Sequence, residues 1–347
     1  MNEPERVCLL RLSAIGDTCH VVPLLRRLQA AWPRTRFTWV IGKLEAKLMS
    51  VIPDVELITV DKGAGFSAYS RLREEMRRRG AFDLLLHLQL SIRASAAAAL
   101  IPAPVKLGFD KPRAREMQWL FTNHRIAERS GEHVLDSFQG FADALGVPPQ
   151  PPRWDVSLPA NGLSYAEQLT PDSQPTMLIS ACSSHELRNW LPERYAAVAE
   201  HAVRQHGARV ILCGGPSETE RAMAGAIAER CAVPLIDQVG KDTLPQLLAL
   251  MSRATVLLTP DSGPTHMAAM VDLPVIGLYA ATRVDRSGPY LSRRWCVDAY
   301  DAAARQFLGK PGSELPWTKK IEVPGVMELI EVPAVTAKLD QLLALRS

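Results

Sequence analysis

Four short segments put hydroxyls, carboxylates, a histidine and cations beside glycine-bearing turns. The most specific is Leu258-Thr259-Pro260-Asp261-Ser262-Gly263-Pro264-Thr265-His266, where Asp, Ser, Gly, Thr and His fall within six residues at the end of an apolar run. The first amides of a helix have no partner inside it and point outward, so small hydrogen-bonding residues at a strand-to-helix turn make a seat for a diphosphate. Ser262, Gly263 and Thr265 supply that seat, and Asp261 and His266 flank it. A lone histidine is usually structural. Five such groups in so short a span favour chemistry.

The second segment is Ser183-Ser184-His185-Glu186-Leu187-Arg188-Asn189-Trp190-Leu191-Pro192. Its hydroxyls and the Arg188 fork suit diphosphate oxygens through charge-assisted hydrogen bonds, or the segment is an ordinary loop with an exposed arginine. In the third, Leu212 to Glu218, Gly214 and Gly215 precede a helix and offer amide N–H groups to a phosphate. Glu218 either accepts hydrogen bonds from a sugar hydroxyl pair or, with Ser217 capping, complements the helix dipole. The fourth, Arg11-Leu12-Ser13-Ala14-Ile15-Gly16-Asp17, runs from a strand through a turn into a helix. There Asp17 is either a helix cap or a carboxylate facing a ligand. The full G-x-G-x-x-G fingerprint is absent, which weakens a dinucleotide dehydrogenase.

These segments need elements to hold them. Short β-prone runs alternate with helical patterns, the mark of parallel α/β sheets. Strands are expected at residues 7–12, 37–41, 57–60, 84–88 and 105–107, then at 177–180, 210–213, 256–259 and 275–278. Helices are expected at 21–31, 69–79, 132–145, 192–205, 218–230, 244–252, 265–271 and 335–345, with 312–325 irregular. Five prolines from Pro148 to Pro159 rule out a helix or central strand and mark a connection between domains. The expected layout is a first domain over 1–155, a second over 170–330 and a closing helix over 331–347. Two doubly wound domains should face a central cleft, where ligands usually bind.

The 347 residues suit two domains, and 47% hydrophobic with 22% charged residues is ordinary for a globular chain. The longest apolar stretch, near residues 94–105, is too short to span a bilayer, and residues 7–10, broken by Arg11 and preceded by acidic residues, are not expected to act as an export signal. Six scattered cysteines read as reduced thiols, and a cytoplasmic location is expected. The net charge of +3 is uneven: residues 1–150 carry 21 Lys+Arg against 16 Asp+Glu, and the remainder 19 against 21. The excess sits at Arg71, Arg73, Arg77, Arg78 and Arg79 and at Lys106, Lys111, Arg113 and Arg115. It is either a solvated face or a meeting place for an anionic acceptor or membrane surface. Nucleic acid is not an expected partner.

Taken in order, the four segments resemble the glycosyltransferase family 9 heptosyltransferases of lipopolysaccharide core synthesis. The likeness rests on Asp261-Ser262-Gly263-Pro264-Thr265-His266-Met267-Ala268-Ala269, Ser13-Ala14-Ile15-Gly16-Asp17 and Gly214-Gly215-Pro216-Ser217-Glu218. Gly240-Lys241-Asp242-Thr243-Leu244 and Gly288-Pro289 add to it, over residues 7 to 290. The resemblance implies a GT-B fold of two Rossmann-like domains and inverting transfer of heptose from ADP-heptose to an inner-core Kdo or heptose of a lipid A-linked acceptor. It implies Asp17 as general base, and Ser183, Ser184 and Arg188 at the diphosphate and sugar. Glu218 would bind ribose, Asp242 would lie in a stretch flanking adenine, and Lys241 would assist Arg188 at the leaving diphosphate. Asp261, Ser262, Gly263, Thr265 and His266 would form the donor loop. Ser13, Gly16, Lys111, Arg113 and Arg115 are candidates for the acceptor. Arg188 stands where many members carry lysine, and Leu191 separates Trp190 from Pro192.

Sugar transfer builds positive charge at the anomeric carbon and negative charge on the departing diphosphate. One base and one set of positive dipoles therefore suffice. No Asp-x-Asp is suitably placed, so no essential cofactor or divalent metal is expected. Peripheral contact with the cytoplasmic face of the inner membrane would follow from a lipid-linked acceptor. The rival expectations are a nucleotide-sugar epimerase or hydrolase of the same plan, a transferase of another core sugar, and a non-catalytic ligand-binding module.

Overall fold

Continuous apolar runs such as Val7-Cys8-Leu9-Leu10 and Leu84-Leu85-Leu86 are fully buried, as strands covered on both faces by helices must be. The computed structural model describes residues 3–345 and divides into two units between Ser157 and Leu158. Residues 1, 2, 346 and 347, at the ends of the expected first and last segments, lie outside the described residues.

In the first unit the order is β1 (Arg6–Leu10), α1 (Ile15–Ala31), β2 (Arg36–Gly42), α2 (Lys43–Met49), β3 (Glu56–Val60) and α3 (Phe66–Arg79). There follow β4 (Leu84–His87), α4 (Ile92–Leu100), β5 (Val105–Gly108), β6 (His124–Arg125) and α5 (Val134–Ala144). The six strands pair in parallel in the order β3-β2-β1-β4-β5-β6. Parallel neighbours need crossovers, which the intervening helices provide.

The second unit runs α6 (Ala160–Leu169), β7 (Thr176–Ile179), α7 (Pro192–His206), β8 (Arg209–Leu212), α8 (Glu218–Arg230), β9 (Ile236–Asp237) and α9 (Leu244–Arg253). It closes with β10 (Val256–Pro260), α10 (Gly263–Ala269), β11 (Val275–Tyr279), α11 (Val284–Ser287), β12 (Val297–Asp298), α12 (Tyr300–Leu308) and α13 (Val332–Ala344). Its sheet, β12-β11-β10-β7-β8-β9, is also all parallel. Counted from its own first strand, it repeats the winding of the first sheet: the first strand lies beside the fourth, where the strand order reverses.

Both units therefore have the doubly wound α/β architecture expected. The differences are local. Edge strands β6, β9 and β12 have two residues each, too few for any pattern. The apolar run near residue 94 is helix α4, capped by Ser91, whose hydroxyl accepts from the Ala94 amide at 3.3 Å. Five alanines and a cap are what a helix prefers. Helix α1 begins at Ile15 rather than Val21 and contains Pro23. A proline donates nothing to the carbonyl four residues before it, here Cys19. The indole N–H of Trp154 fills that place at 2.8 Å.

The proline-rich stretch is accordingly not a loose tether. Trp154 is buried, the Arg26 guanidinium donates to the carbonyls of Trp154 and Asp155 at 3.0 and 2.8 Å, and the Ser157 amide donates to Val51 at 2.8 Å. All six cysteines are free thiols, four of them buried. No helix among the described residues is long and apolar enough to cross a membrane.

Candidate functional sites at the two sheet switch points

In open parallel sheets ligands settle at the carboxyl ends of the strands where the winding reverses, because the two flanking loops part there. In the first unit that point lies between β1 and β4. The loop after β1 is fastened to the loop after β4 by Gln89, whose Oε1 accepts from the amides of Leu12 at 2.6 Å and Ser13 at 3.2 Å. Its Nε2 donates to the Ser13 hydroxyl at 3.3 Å and the Ser91 hydroxyl at 3.1 Å. Sequence reasoning missed Gln89; a polar residue two positions beyond a buried strand was its one signal.

Arg11 leaves the end of β1, donates to the Leu88 carbonyl at 2.5 Å and reaches the Asp17 carboxylate. Asp17 lies in the first turn of α1, with Gly16 buried beside it and Ala14 as the cap residue. Both protein contacts of the carboxylate, Arg11 and the Ala14 amide at 3.5 Å, fall on Oδ2. Among the described residues Oδ1 has no hydrogen-bond partner, and 35% of the side chain is exposed. The carboxylate is thus oriented through one oxygen and available through the other.

The remaining acceptor candidates separate. Arg113 is drawn into the fold's own carboxylates: it pairs with the buried Asp110, with Glu132 at 2.5 Å and with the Ser137 hydroxyl at 3.0 Å. An acceptor would have to compete with these groups of the same unit for Arg113. Lys111 and Arg115 are exposed. The basic helix face is partly self-neutralised too, with Arg79 paired to Glu56 and Glu75 and Arg78 to Glu74.

In the second unit the reversal lies between β7 and β10. Ser183, after β7, donates its hydroxyl to the Asp261 carbonyl at 2.9 Å, and its amide donates to Asn189 Oδ1 at 2.7 Å. Ser184 is exposed beside it. Arg188 donates to Asp261 Oδ2 at 3.4 Å and to Glu322 Oε1 at 2.8 and 2.6 Å. The Ser287 hydroxyl also reaches Asp261 Oδ2 at 3.4 Å. Ser262 bonds the Thr259 hydroxyl at 2.9 Å, and Thr265 donates to the Pro260 carbonyl at 2.9 Å. Gly263 opens α10, and His266 is buried within it. Ser183, Arg188, Asp261, Ser262 and Thr265 therefore do come together. Glu322, 134 positions from Arg188, carried no local signal. In this arrangement the guanidinium is balanced by two carboxylates.

The Gly214–Gly215 turn differs from expectation. The Gly215 amide donates to Glu220 Oε1 at 2.8 Å, and the Ser217 hydroxyl, which caps α8, donates to Glu220 Oε2 at 2.7 Å. That amide is not free for a phosphate. The Ser-x-x-Glu spacing of a capping box was the available signal. Glu218 is exposed at the start of α8, and Lys241 is exposed with Nζ on the Asp237 carbonyl at 2.5 Å. Asp242 is half-buried, its Oδ2 has no hydrogen-bond partner, and burial pushes its carboxyl up to about 7.

Residues 69–317 match the sequence model of glycosyltransferase family 9 (heptosyltransferase). A lipopolysaccharide core heptosyltransferase, OpsX, of Haemophilus influenzae is 39% identical over 339 residues, covering 98% of this chain and 97% of its own. Among solved structures, a glycosyl transferase of family 9 from Veillonella parvula superposes with a TM-score of 0.82 at 23% identity, over 99% of this chain and 98% of its own. The Escherichia coli heptosyltransferase WaaC with ADP superposes with a TM-score of 0.75 at 20% identity, over 97% of this chain and 99% of its own. The likeness to these two structures is one of fold, that of the GT-B class.

Proposed function

Because the chain belongs to glycosyltransferase family 9, we propose that it transfers heptose from ADP-heptose to the inner core of a lipid A-linked lipopolysaccharide, with inversion at the anomeric carbon. The observation that carries this reading is the cluster of Ser183, Arg188, Asp261 and Ser262 at the carboxyl ends of β7 and β10, in a chain aligned with a core heptosyltransferase over nearly its whole length.

In the reaction the acceptor hydroxyl oxygen forms a bond to the anomeric carbon while the bond from that carbon to the diphosphate oxygen breaks. Its electron pair leaves with ADP. Asp17 takes the hydroxyl proton on Oδ1, the oxygen that Arg11 and Ala14 leave open. Anchoring Oδ2 fixes the direction of that lone pair, and positioning is what makes a general base effective. Arg188 meets the negative charge that builds on the leaving diphosphate, exchanging Glu322 for a phosphate oxygen. Ser183, Ser184 and the amides from Ser262 to Thr265 complete the cradle, with His266 toward the sugar. Asp242, Lys241 and Glu218 serve the nucleoside. The exchange of sugar for proton needs no metal at any step.

A lipid-linked acceptor brings the enzyme to a membrane surface, and we place this contact on residues 111–120, with the protein peripheral on the cytoplasmic face of the inner membrane. Met117, Trp119 and Leu120 are each about half exposed, beside exposed Lys111 and Arg115. Apolar side chains that enter the headgroup region next to cations that meet anionic lipid make an interfacial anchor.

The test is a donor panel with and without acceptor. ADP-heptose should raise the unfolding temperature more than UDP- or GDP-sugars, and release of ADP should require acceptor. Release without acceptor would favour a hydrolase or epimerase. Asp17→Asn should leave donor binding nearly unchanged while turnover falls by about 10²-fold or more. Near-normal turnover would end the candidacy of Asp17.

A further inference from the structure

Away from both switch points, the outer face of α13 meets α7 through three polar side chains. His201 and His206, from the last two turns of α7, each place Nε2 2.6 Å from the same oxygen, Oδ1 of Asp340 on α13. The rings are 5.7 Å apart between centroids and inclined at 60°. The three potential ligand atoms lie within 4.8 Å of one another, and among the described residues no other trio of His, Cys, Asp or Glu does so. Both histidines are about three-quarters buried, and Asp340 about half.

We propose that His201, His206 and Asp340 form a binding site for a divalent transition metal, zinc by preference, that fastens the last helix to α7. Two imidazole nitrogens and one carboxylate oxygen are a donor set suited to Zn²⁺, with water completing a tetrahedron at about 2.0–2.1 Å from each ligand. Tetrahedral ligand atoms at those bond lengths stand about 3.3 Å apart. The ion would therefore open the present 2.6 Å contacts by about 0.7 Å, within the reach of side-chain rotation. Metal-free, both histidines must hold a proton on Nε2 to share one carboxylate oxygen. On metal binding an imidazolium ring gives its Nε2 proton to solvent, whereas a neutral ring gives up the Nε2 proton and takes one on Nδ1; either way the ring is neutral with its Nε2 lone pair on the metal.

The fold explains what such a link would do. The inner face of α13 is committed to the core through Val335, Leu339, Leu342 and Leu343, so the helix is already docked on its apolar side. Among the described residues, the side-chain hydrogen bonds from its outer side to α7 are those of Asp340. A metal there turns a solvent-facing hydrogen-bond pair into a coordinate bridge between two helices distant in sequence. The site belongs to the second unit's scaffold and takes no part in sugar transfer, so it stands or falls apart from the proposed reaction.

The test uses the whole chain, stripped with a chelator and dialysed, then titrated with Co²⁺ and Zn²⁺. The expected result is one equivalent of metal per chain, a rise of several degrees in unfolding temperature with Zn²⁺, and visible d–d absorption from Co²⁺ without the near-ultraviolet band of thiolate ligation. His206→Gln and Asp340→Asn should each lower affinity by 10-fold or more and abolish the thermal shift. Amide exchange in residues 332–344 should slow on metal addition in the natural chain only. No stoichiometric binding, a thiolate band that reveals cysteine ligation, or full affinity in both variants would overturn the proposal.

Discussion

Asp242 offers a sharp test of the second unit's electrostatics. Its carboxyl is held at about 7 against an ordinary 3.8 because burial disfavours the charged form and Oδ2 has no hydrogen-bond partner. Below pH 3.8 the group is protonated folded and unfolded, and it contributes nothing to the pH dependence. Between 3.8 and about 7 the unfolded chain has given up the proton that the folded chain keeps, so stability falls as pH rises. Above 7 the carboxylate is charged in both states and the penalty is constant. Three units at 1.36 kcal/mol each set a ceiling of about 4 kcal/mol, and partial exposure trims it to about 2–4 kcal/mol. Asp242→Asn removes the charge at nearly constant shape. The variant should melt about 4–16 °C above the natural chain at pH 8, taking about 2–4 °C per kcal/mol for a unit of this size. The gap should shrink steadily toward pH 4. The assay is thermal unfolding of both proteins across pH 4 to 8. A difference that is constant with pH, or that grows toward acid, would refute the reasoning.

Other expectations follow from the same contacts. Arg188→Ala should weaken ADP-sugar binding about 10- to 100-fold by calorimetry, the worth of a hydrogen bond to a charged group, with Arg188→Lys falling between; unchanged affinity together with unchanged turnover would remove Arg188 from the donor site. Arg113→Ala should cost about 2–4 kcal/mol in denaturant unfolding, because it strands the buried Asp110 carboxylate, whereas Lys111→Ala and Arg115→Ala should stay within about 0.5 kcal/mol. His87, wholly buried and pushed down to about 3 by burial with Lys106 and Arg11 nearby, should stay neutral when folded. Stability should then drop as pH falls from 6.5 toward 3, and His87→Met should flatten that slope in urea titrations.

What could be read beforehand was whatever lay in consecutive residues. The nine longer strands and eight of the thirteen helices among the described residues follow from apolar periodicity, whereas α2, α4, α6, α11 and α12 were not expected; the loop at Asp261 announces itself by composition. Partners that fold in from afar leave no such trace. Glu322 meets Arg188 only because the segment before α13 returns across the second sheet, and Gln89 meets Ser13 only because β4 lies beside β1. The Gly214–Gly215 turn shows the opposite case. Glu220 stands in plain view, three residues after a serine, yet a glycine pair invites a phosphate and the carboxylate that takes the Gly215 amide was not singled out. Composition could nominate arginines as free cations, and only packing could reveal that Arg113 already has its counter-ions.

The tie between Pro23 and Trp154 bears on how the polypeptide can be dissected. A fragment designed to stop at the first prolines, near residue 148, would discard the indole that answers the Cys19 carbonyl and the two carbonyls that answer Arg26. The first helix would then carry an orphaned oxygen at its bend and a buried guanidinium with fewer acceptors. Cloning boundaries for the amino-terminal half therefore belong after Ser157. The apparent spacer is the last stave of that half, and cutting through it would sacrifice solubility before any question of activity could be asked.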